Sequence, residues 1–386
     1  MFDHETLPAL REAIQHRTVA DRCLLDELRK EVRSFAGEVR SIKPRSTTSI
    51  SLVASDGGNN KLHFDPFFVQ LVRVVDSYGK QLCFDAVSPT TDTDELSQVQ
   101  FDNDGNPRTS LGRMMRDLGV TDLNSLSHMI PTGEEVRKNP HRVSPSWVLV
   151  YRDLCEWAVL YERICYNTFA TDTLLVRDGL LRSKLFRGEG FIQVRKRIEQ
   201  AIQRIQKQDK RKVFLVGLAK YSKVIERYRL AMAIENTMPP GEARYVRIPR
   251  ELEAKAYVWP EYARGVETEG EGEAPKFVAG DLYLVRFGKN RGDPIWAVDL
   301  FTPQSNSAAE IFGYLLADAI DGFPIPFYPR CLQKAHEHAS IVDFDLTILQ
   351  DEVFRAVRNL LPEGQQHILD TFQLTSEDVA ARRYGS

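Results

Sequence analysis

Two aspartates in this sequence stand directly after short apolar runs, and each is followed by glycine. Asp56 comes in SISLVASDGG, and Asp178 comes in TLLVRDG. Asp-Gly is a common turn dipeptide, so either residue alone is compatible with a simple turn. The second interpretation is that each strand carries a carboxylate to its end to hold a ligand, with the glycines leaving room beside it. Two such strand endings in one chain favour the second interpretation.

A third carboxylate is expected on the helix predicted at 144–169, where Glu156 and Glu162 are the candidates. A helix rises ~1.5 Å per residue and a strand ~3.3 Å, so the helix can be matched in height with the strand that follows it. The height of Asp178 then corresponds to about residue 158 of the helix, which is closer to Glu156. Both glutamates flank the apolar stripe, so Glu162 stays an alternative to Glu156.

Carboxylates that converge on one point repel each other unless a cation lies between them. Oxygen ligands of this kind suit Mg²⁺ or Mn²⁺ better than zinc. Two such ions, ~3.5–4 Å apart, can activate a water and stabilise the leaving oxygen of a phosphodiester. We therefore predict a catalytic metal site of Asp56, Glu156 and Asp178 that holds Mg²⁺ or Mn²⁺, with two ions.

Basic residues are concentrated in one part of a chain whose formal net charge is −3. Twelve Lys/Arg and three acidic residues lie between Arg195 and Arg229, whereas acid gathers at 266–275. Such a distribution suits a polyanionic partner, and a solvated helix face is the alternative. The predicted phosphate contacts are Lys220, Lys223, Arg182, Lys184, Arg195 and Arg197.

The order of predicted elements is typical of an RNase H-like fold. Three β-like runs (49–55, 67–77 and 81–88) precede the helix at 144–169, the strand 172–179, a basic helix near 190–208 and the strand 212–219. This order predicts a mixed α/β fold, with a mixed sheet flanked by helices. The first and fourth strands, which carry the two aspartates, are neighbours in that layout. A helix at 5–37, further β-structure at 250–302 and helices near 306–321, 328–340 and 346–372 extend it.

Bulk properties exclude several protein classes. No apolar run approaches the ~20 residues of a membrane span, and the first residues lack the pattern of a secretory signal. The five cysteines (23, 83, 155, 165 and 331) have no C-x-x-C spacing, which argues against a disulfide framework or a zinc ribbon. We therefore expect a cytoplasmic protein with reduced thiols and no membrane association.

Five segments, taken together and in order, resemble the NurA nuclease family: LVASDGGNN, YRDLCEWAVLYERI, TLLVRDGLL, VFLVGLAKYSK and PFYPRCLQKAHEHASI. The resemblance covers roughly 45–345. It implies an RNase H-like nuclease core, manganese-dependent cleavage of DNA, and a homodimer that docks on a HerA-type hexameric DNA translocase. DNA end resection, repair or antiviral defence is the implied context. One departure is Asp-Gly-Gly-Asn, where the family more often has Asp-Gly-Ser.

The resemblance also implies roles for residues and a division of the chain. His336 is implied as a ligand of the second metal or a contact of the scissile phosphate. Tyr328 is implied as a residue that orients a water or stacks on a base, and a core tyrosine with a satisfied hydroxyl is the alternative. We expect a helical segment at 1–44, a nuclease domain at 45–345 and a helical segment at 346–386. Within the domain, the core is about 49–88 and 144–219, and 89–143 is an insertion.

Three functions remain open at this point. A metal-dependent DNA nuclease that works with a hexameric ATPase is favoured, because Asp56, Glu156 and Asp178 are all present. A non-catalytic nucleic-acid-binding scaffold on the same fold is the first alternative. An RNA-cleaving nuclease is the second alternative. The same acids would cut RNA, and the sequence does not identify a residue that recognises the 2′-hydroxyl, which distinguishes RNA from DNA.

Overall fold

A computed structural model of the chain describes residues 6–64, 67–257, 276–340, 343–362 and 365. The acidic stretch at 266–275 and the last part of the helix expected at 346–372 lie outside these residues. The chain divides into two compact units, each built from separate parts of the sequence. The first unit comprises 1–52, 170–184 and 206–330, and the second comprises 53–169, 185–205 and 331–386.

The helices and strands below keep these labels throughout. The helices are α1 (Thr6–Ala20), α2 (Arg22–Ala36), α3 (Thr93–Gln98), α4 (Ser110–Leu118), α5 (Leu123–Leu126), α6 (Gly133–Lys138), α7 (Trp147–Tyr166), α8 (Gly190–Gln208), α9 (Lys223–Ile234), α10 (Arg250–Ala256), α11 (Ala308–Ala319), α12 (Arg330–Ala339) and α13 (Asp343–Leu360). The strands are β1 (Arg40–Ser41), β2 (Ser51–Phe64), β3 (Phe67–Asp76), β4 (Gln81–Val87), β5 (Thr173–Asp178), β6 (Val213–Ala219), β7 (Arg244–Arg247), β8 (Gly280–Arg286) and β9 (Trp296–Phe301).

The first unit contains mixed β-structure in the order β1-β7-β8-β9-β6-β5. β5 and β6 are parallel, and the other neighbours in this order are antiparallel. Apolar residues occupy both faces of β5 and β6, as expected for strands that are covered on both sides. On one side α2 packs against α9, with the rings of Phe35 and Tyr228 6.0 Å apart at their centroids. Asp178 is the last residue of β5, so this unit delivers its carboxylate at a strand end.

The second unit contains the antiparallel meander β2-β3-β4. α7 packs on β3 and β4 and has large side chains buried along most of its length. The rings of Trp157 and Phe191 meet edge to face at 5.0 Å, which attaches the basic α8 to α7. α4, in the inserted segment, also packs on α7; Thr109 caps its start, and Gly119 closes it with φ 71°. The meander and α7 together support Asp56 and Glu156.

The predicted mixed α/β fold is confirmed, and so is the order of its elements from β2 to β6. The first predicted strand was wrong at its end. β2 continues to Phe64 instead of stopping before Asp56, and Asp56 pairs with Val75 within the β2–β3 ladder, next to its first pair. Gly57 and Gly58 are not among the glycines with positive φ, so Asp-Gly-Gly is extended strand and not a turn. The helix expected at 5–37 is two helices, α1 and α2.

Across the part of the chain that the structure describes, no helix combines the length and the apolar character that a membrane span requires.

Candidate metal centre

Asp56 and His336 meet in the second unit although they lie 280 positions apart in the chain. Nδ1 of His336, on α12, is 2.8 Å from Oδ2 of Asp56, on β2. The Asp56 side chain is 12% exposed, whereas that of His336 is 59% exposed. Carboxylate and imidazole groups are two of the commonest ligand types for divalent metals. The strand and the helix thus bring two of the predicted site residues together.

His338, the second histidine of the HEH sequence, has a different neighbour. Its ring lies beside Gly79 in the β3–β4 turn, 3.4 Å from the position that a Cβ on this glycine would occupy. Residues two apart on a helix do not share a face. Only His336 of this pair therefore contacts Asp56.

Glu156, on α7, reaches the backbone next to Asp56. A Cβ on Gly57 would overlap Oε1 of Glu156, so the missing side chain of Gly57 makes room for this carboxylate. Glu156 is buried, with 8% of its surface exposed. A buried carboxylate requires a compensating partner. The space beside Asp56 is therefore occupied in part by a second acid, and not left entirely open as the sequence suggested.

Arg152 is a charged partner of this acidic pair that the sequence analysis missed. Its Nε lies 3.3 Å from Oε1 of Glu156, one helical turn away. Burial lowers the pKa of the Arg152 guanidinium, but the charges of Glu156, Asp153 and Asp56 outweigh this effect and raise it. Arg152 therefore stays charged and balances negative charge at Asp56 and Glu156. The signal in the sequence was its i,i+4 spacing from Glu156.

Glu162, the alternative to Glu156, faces a different part of the second unit. Its Oε1 lies 3.2 Å from Nε of Arg113, and its Oε2 accepts a hydrogen bond from the hydroxyl of Ser110. Both partners belong to α4. The contact with Gly57 brings Glu156 next to Asp56, and the contacts of Glu162 bind α7 to the inserted segment.

The second glycine of the motif, Gly58, is required by a backbone contact. A Cβ at this position would overlap the carbonyl oxygen of Ala339, at the end of α12. We expect Gly58→Ala to lower the free energy of unfolding by about 1–3 kcal/mol, because a helix backbone must move to admit the methyl group. Urea denaturation followed by circular dichroism measures this change.

Gly37→Ala is the matched control for Gly58→Ala. Gly37 has φ −70°, and no atom lies within 4 Å of the position that an added methyl group would take. Its substitution is therefore expected to change stability by less than about 0.5 kcal/mol. Equal stability of the two variants would contradict the tight approach of β2 and α12.

Asp178 has its own partners in the first unit. It ends β5, and Gly179 turns the chain immediately after it with φ 104°. The Tyr328 hydroxyl donates to Oδ1 of Asp178 at 3.3 Å, and Nζ of Lys220 lies 3.5 Å from Oδ2. Lys220 also lies 5.1 Å from the centre of the Tyr328 ring. Tyr328 is 0% exposed, so it orients Asp178 and cannot stack on a base, which corrects that expectation.

Arg182 does not fit its predicted role as a phosphate contact. Its side chain is 0% exposed, with Nη1 2.8 Å from Glu253 and Nη2 2.6 Å from Asp299. Burying a cation with two acids removes it from any surface on which DNA could lie. The sequence missed this because it does not separate buried from exposed arginines.

The other predicted phosphate contacts differ in their availability. Lys184 is exposed, and Arg195 is half-buried. Lys223 pairs with Glu226 at 2.9 Å, and Nη2 of Arg197 donates to the carbonyl oxygen of Asp117 at 2.6 Å. The pairs at Lys223 and Arg197 are exposed and exchange readily with solvent or an anion.

The donor set in the second unit fits a hard divalent cation. Asp56 and Glu156 offer carboxylate oxygens, and His336 offers an imidazole nitrogen. Oxygen ligands suit Mg²⁺ and Mn²⁺ alike, and an added nitrogen ligand favours Mn²⁺. The composition of the cluster is therefore compatible with the predicted cofactor.

Comparison with known proteins gives similarity to solved structures only. No family model matches the chain, and no curated protein matches it either. The NurA nuclease from Sulfolobus solfataricus is 13% identical and aligns over 94% of this chain and 99% of its own, with a TM-score of 0.41. NurA bound to dAMP and manganese is 13% identical over 93% of this chain and 99% of its own, with a TM-score of 0.37.

These structures belong to the family that the sequence motifs resemble. The chain is thus similar to NurA nucleases over most of its length, at low identity.

Proposed function

We propose that this protein is a metal-dependent nuclease that hydrolyses phosphodiester bonds of DNA. The observation that carries the proposal is the contact between Asp56 and His336, with Glu156 against the adjacent glycine. A carboxylate in contact with an imidazole, with a second carboxylate against the next residue of the strand, offers ligand types that suit a hydrolytic metal site. Asp178 is proposed as a further ligand, because it ends β5 and offers a carboxylate oxygen.

The proposed cofactor is Mn²⁺ or Mg²⁺, with two ions. When bound, such ions lower the pKa of a coordinated water and stabilise charge on the leaving oxygen. In this chain Asp56, Glu156, Asp178 and His336 would hold them. Tyr328 orients Asp178 through its hydroxyl, and Arg152 balances the charge of Glu156.

Phosphate binding is proposed for a smaller set of cations than the sequence suggested. Lys220 lies beside Asp178 with a quarter of its side chain exposed, so it can contact a phosphate next to this carboxylate. Lys184, Lys223, Arg195 and Arg197 are proposed as more distant backbone contacts, which raise affinity without sequence preference.

A cleavage assay tests the proposal directly. End-labelled single-stranded DNA, double-stranded DNA and RNA are incubated with the purified protein in Mn²⁺, Mg²⁺ or excess EDTA. We expect cleavage of DNA with either metal and none with EDTA. Binding of DNA without cleavage under every condition would support the non-catalytic scaffold. Cleavage restricted to RNA would support the RNA-cleaving alternative.

The choice between the two glutamates gives a paired prediction. Glu156→Gln is expected to reduce cleavage more than about 100-fold, because it removes a charge next to Asp56 where a metal ligand is proposed. Glu162→Gln lies on the same helix and keeps its hydrogen bond with Ser110, so we expect activity within about threefold of wild type. Initial cleavage rates at saturating Mn²⁺ measure both. The reverse order of effects would exchange their assignments.

Partners and location are proposed from the motif resemblance and from the cysteines. The motif resemblance supports a homodimer that works with a HerA-type hexameric ATPase in DNA end processing, repair or defence. Scattered cysteines, which are free thiols in the described residues, support the cytoplasm. Size-exclusion chromatography with light scattering, with and without a HerA-type ATPase, tests the assembly, and a monomer that ignores the ATPase would contradict it.

A further inference from the structure

A second cluster of metal-ligating side chains lies in the second unit and shares no residue with the candidate site at Asp56 and His336. Cys83 and Asp85 are two apart on β4, so their side chains share one face of the strand. Cys155 is on α7, which packs against this strand. One ligand atom from each of the three residues lies within 4.8 Å of the others. The chain thus assembles two sulfurs and a carboxylate without any local cysteine motif.

The carboxylate of this cluster is held in place by hydrogen bonds. The Tyr151 hydroxyl, one helical turn before Cys155, donates to Oδ2 of Asp85 at 2.7 Å. Nε2 of Gln100 donates to that hydroxyl oxygen at 3.4 Å. Sγ of Cys83 lies 3.7 Å from the same Oδ2. Tyr151 is completely buried. Outer partners that orient a carboxylate in this way are typical of metal sites.

The cluster can be reached from solvent. Cys83, Asp85 and Cys155 line a pocket of about 370 Å³, which also has Arg108 and Leu111 in its wall. Cys155 is 2% exposed and lies at the base, while Cys83 and Asp85 are half-buried. A metal site requires both a donor set and an entry path, and this pocket supplies the path.

We propose that Cys83, Asp85 and Cys155 bind a zinc-class divalent ion, with its fourth position open to the pocket. Zinc is bound tetrahedrally at ~2.3 Å from sulfur, which places two sulfurs about 3.8 Å apart. That separation lies within the 4.8 Å limit of this cluster. Thiolate ligands select zinc-class ions over Mg²⁺ and Mn²⁺. The chain then carries two centres of opposite preference, oxygen-rich at Asp56 and sulfur-rich at Cys83.

The ion would connect the edge strand β4 to α7. We therefore expect zinc to raise the melting temperature, because it binds the folded chain and the three ligands are not assembled in the unfolded one. The two centres do not share a ligand. Binding at the cysteine cluster can accordingly be measured whether or not the protein cleaves DNA.

Cobalt is the probe, because Co²⁺ bound to thiolates absorbs in the near ultraviolet and Co²⁺ bound to oxygen and nitrogen alone does not. Reduced, metal-free protein is titrated anaerobically with Co²⁺, and zinc is then added to displace it. We expect a thiolate charge-transfer band that saturates at one ion per chain and disappears with zinc.

Variants assign the band to its ligands. Cys83→Ser and Cys155→Ala are each expected to abolish it, and Asp85→Asn to weaken cobalt affinity at least about tenfold. Cys23→Ser, which removes an exposed thiol elsewhere, and Asp56→Asn should keep the full band. Circular dichroism verifies the fold of each variant. If a buried substitution unfolds the protein, the cobalt absorption spectrum of the wild-type protein still tests the proposal.

Three outcomes would overturn the proposal. The first is absence of the band in reduced wild-type protein. The second is its loss in Asp56→Asn but not in Cys83→Ser. The third is a Cys83–Cys155 disulfide that forms in air equally fast with and without zinc, which would assign the pair to redox chemistry.

Discussion

Asp56→Asn is expected to reduce metal-dependent DNA cleavage more than about 100-fold. Asparagine keeps the shape of the side chain and can still accept a hydrogen bond from His336, but it lacks the negative charge that holds a divalent cation. The defect should therefore lie in metal binding and turnover and not in folding. Cleavage rates measured over a series of Mn²⁺ concentrations test this expectation.

Asp104→Asn is the matched control for Asp56→Asn. Asp104 is an exposed carboxylate in the inserted segment of the same unit, and the substitution makes the same change of charge. Its activity should equal that of wild type. If Asp56→Asn retained wild-type cleavage while folding normally, Asp56 would not be a ligand and the proposed site would be lost with it.

Arg182→Ala is expected to lower the free energy of unfolding by about 3–5 kcal/mol. The substitution leaves Asp299 buried without the arginine that pairs with it, and it leaves Glu253 with Arg250 as its remaining arginine partner. Burial raises the pKa of Glu253 and the charge of Arg182 opposes this effect, so removing Arg182 makes the ionised form of Glu253 less favourable. Chemical denaturation at neutral pH measures the loss.

The comparison with Lys184→Ala separates a structural role from a DNA-binding role. Lys184 lies two residues away and is exposed, so its removal should change stability by less than about 0.5 kcal/mol. The Lys184→Ala protein should bind DNA more weakly, and its DNA affinity should depend less on salt concentration. An Arg182→Ala protein of normal stability but reduced DNA affinity would restore the role that the sequence first suggested.

The order of strands and helices was predictable because its signals are local. Apolar runs, caps and turn residues identify β5, β6 and α7 within a few residues of their observed ends. The end of β2 was not predictable, because Asp-Gly-Gly is a turn signal only where nothing packs against the glycines. Here Glu156 of α7 lies against Gly57, and Ala339 of α12 lies against Gly58. Residues near position 57 in the sequence do not indicate either contact.

The candidate site was predictable in part for the same reason. Glu156 follows from helix height and His336 from the motif resemblance, whereas Asp56 was selected through a strand ending that the structure does not have. Cys83 and Cys155 gave no signal, because the inserted segment separates them and cysteine spacing is informative only within one motif. Arg182 was assigned to the surface because a basic residue near a basic region is normally exposed.

The contact between Asp56 and His336 has a consequence for the timing of protein synthesis. Chains grow at roughly 5–20 residues per second, so β2 leaves the ribosome on the order of 15–60 s before the histidine that contacts it exists. A nascent or truncated chain that stops before α12 therefore has Asp56 without His336. For a protein proposed to cut nucleic acid, this dependence would keep unfinished copies from acting near messenger RNA.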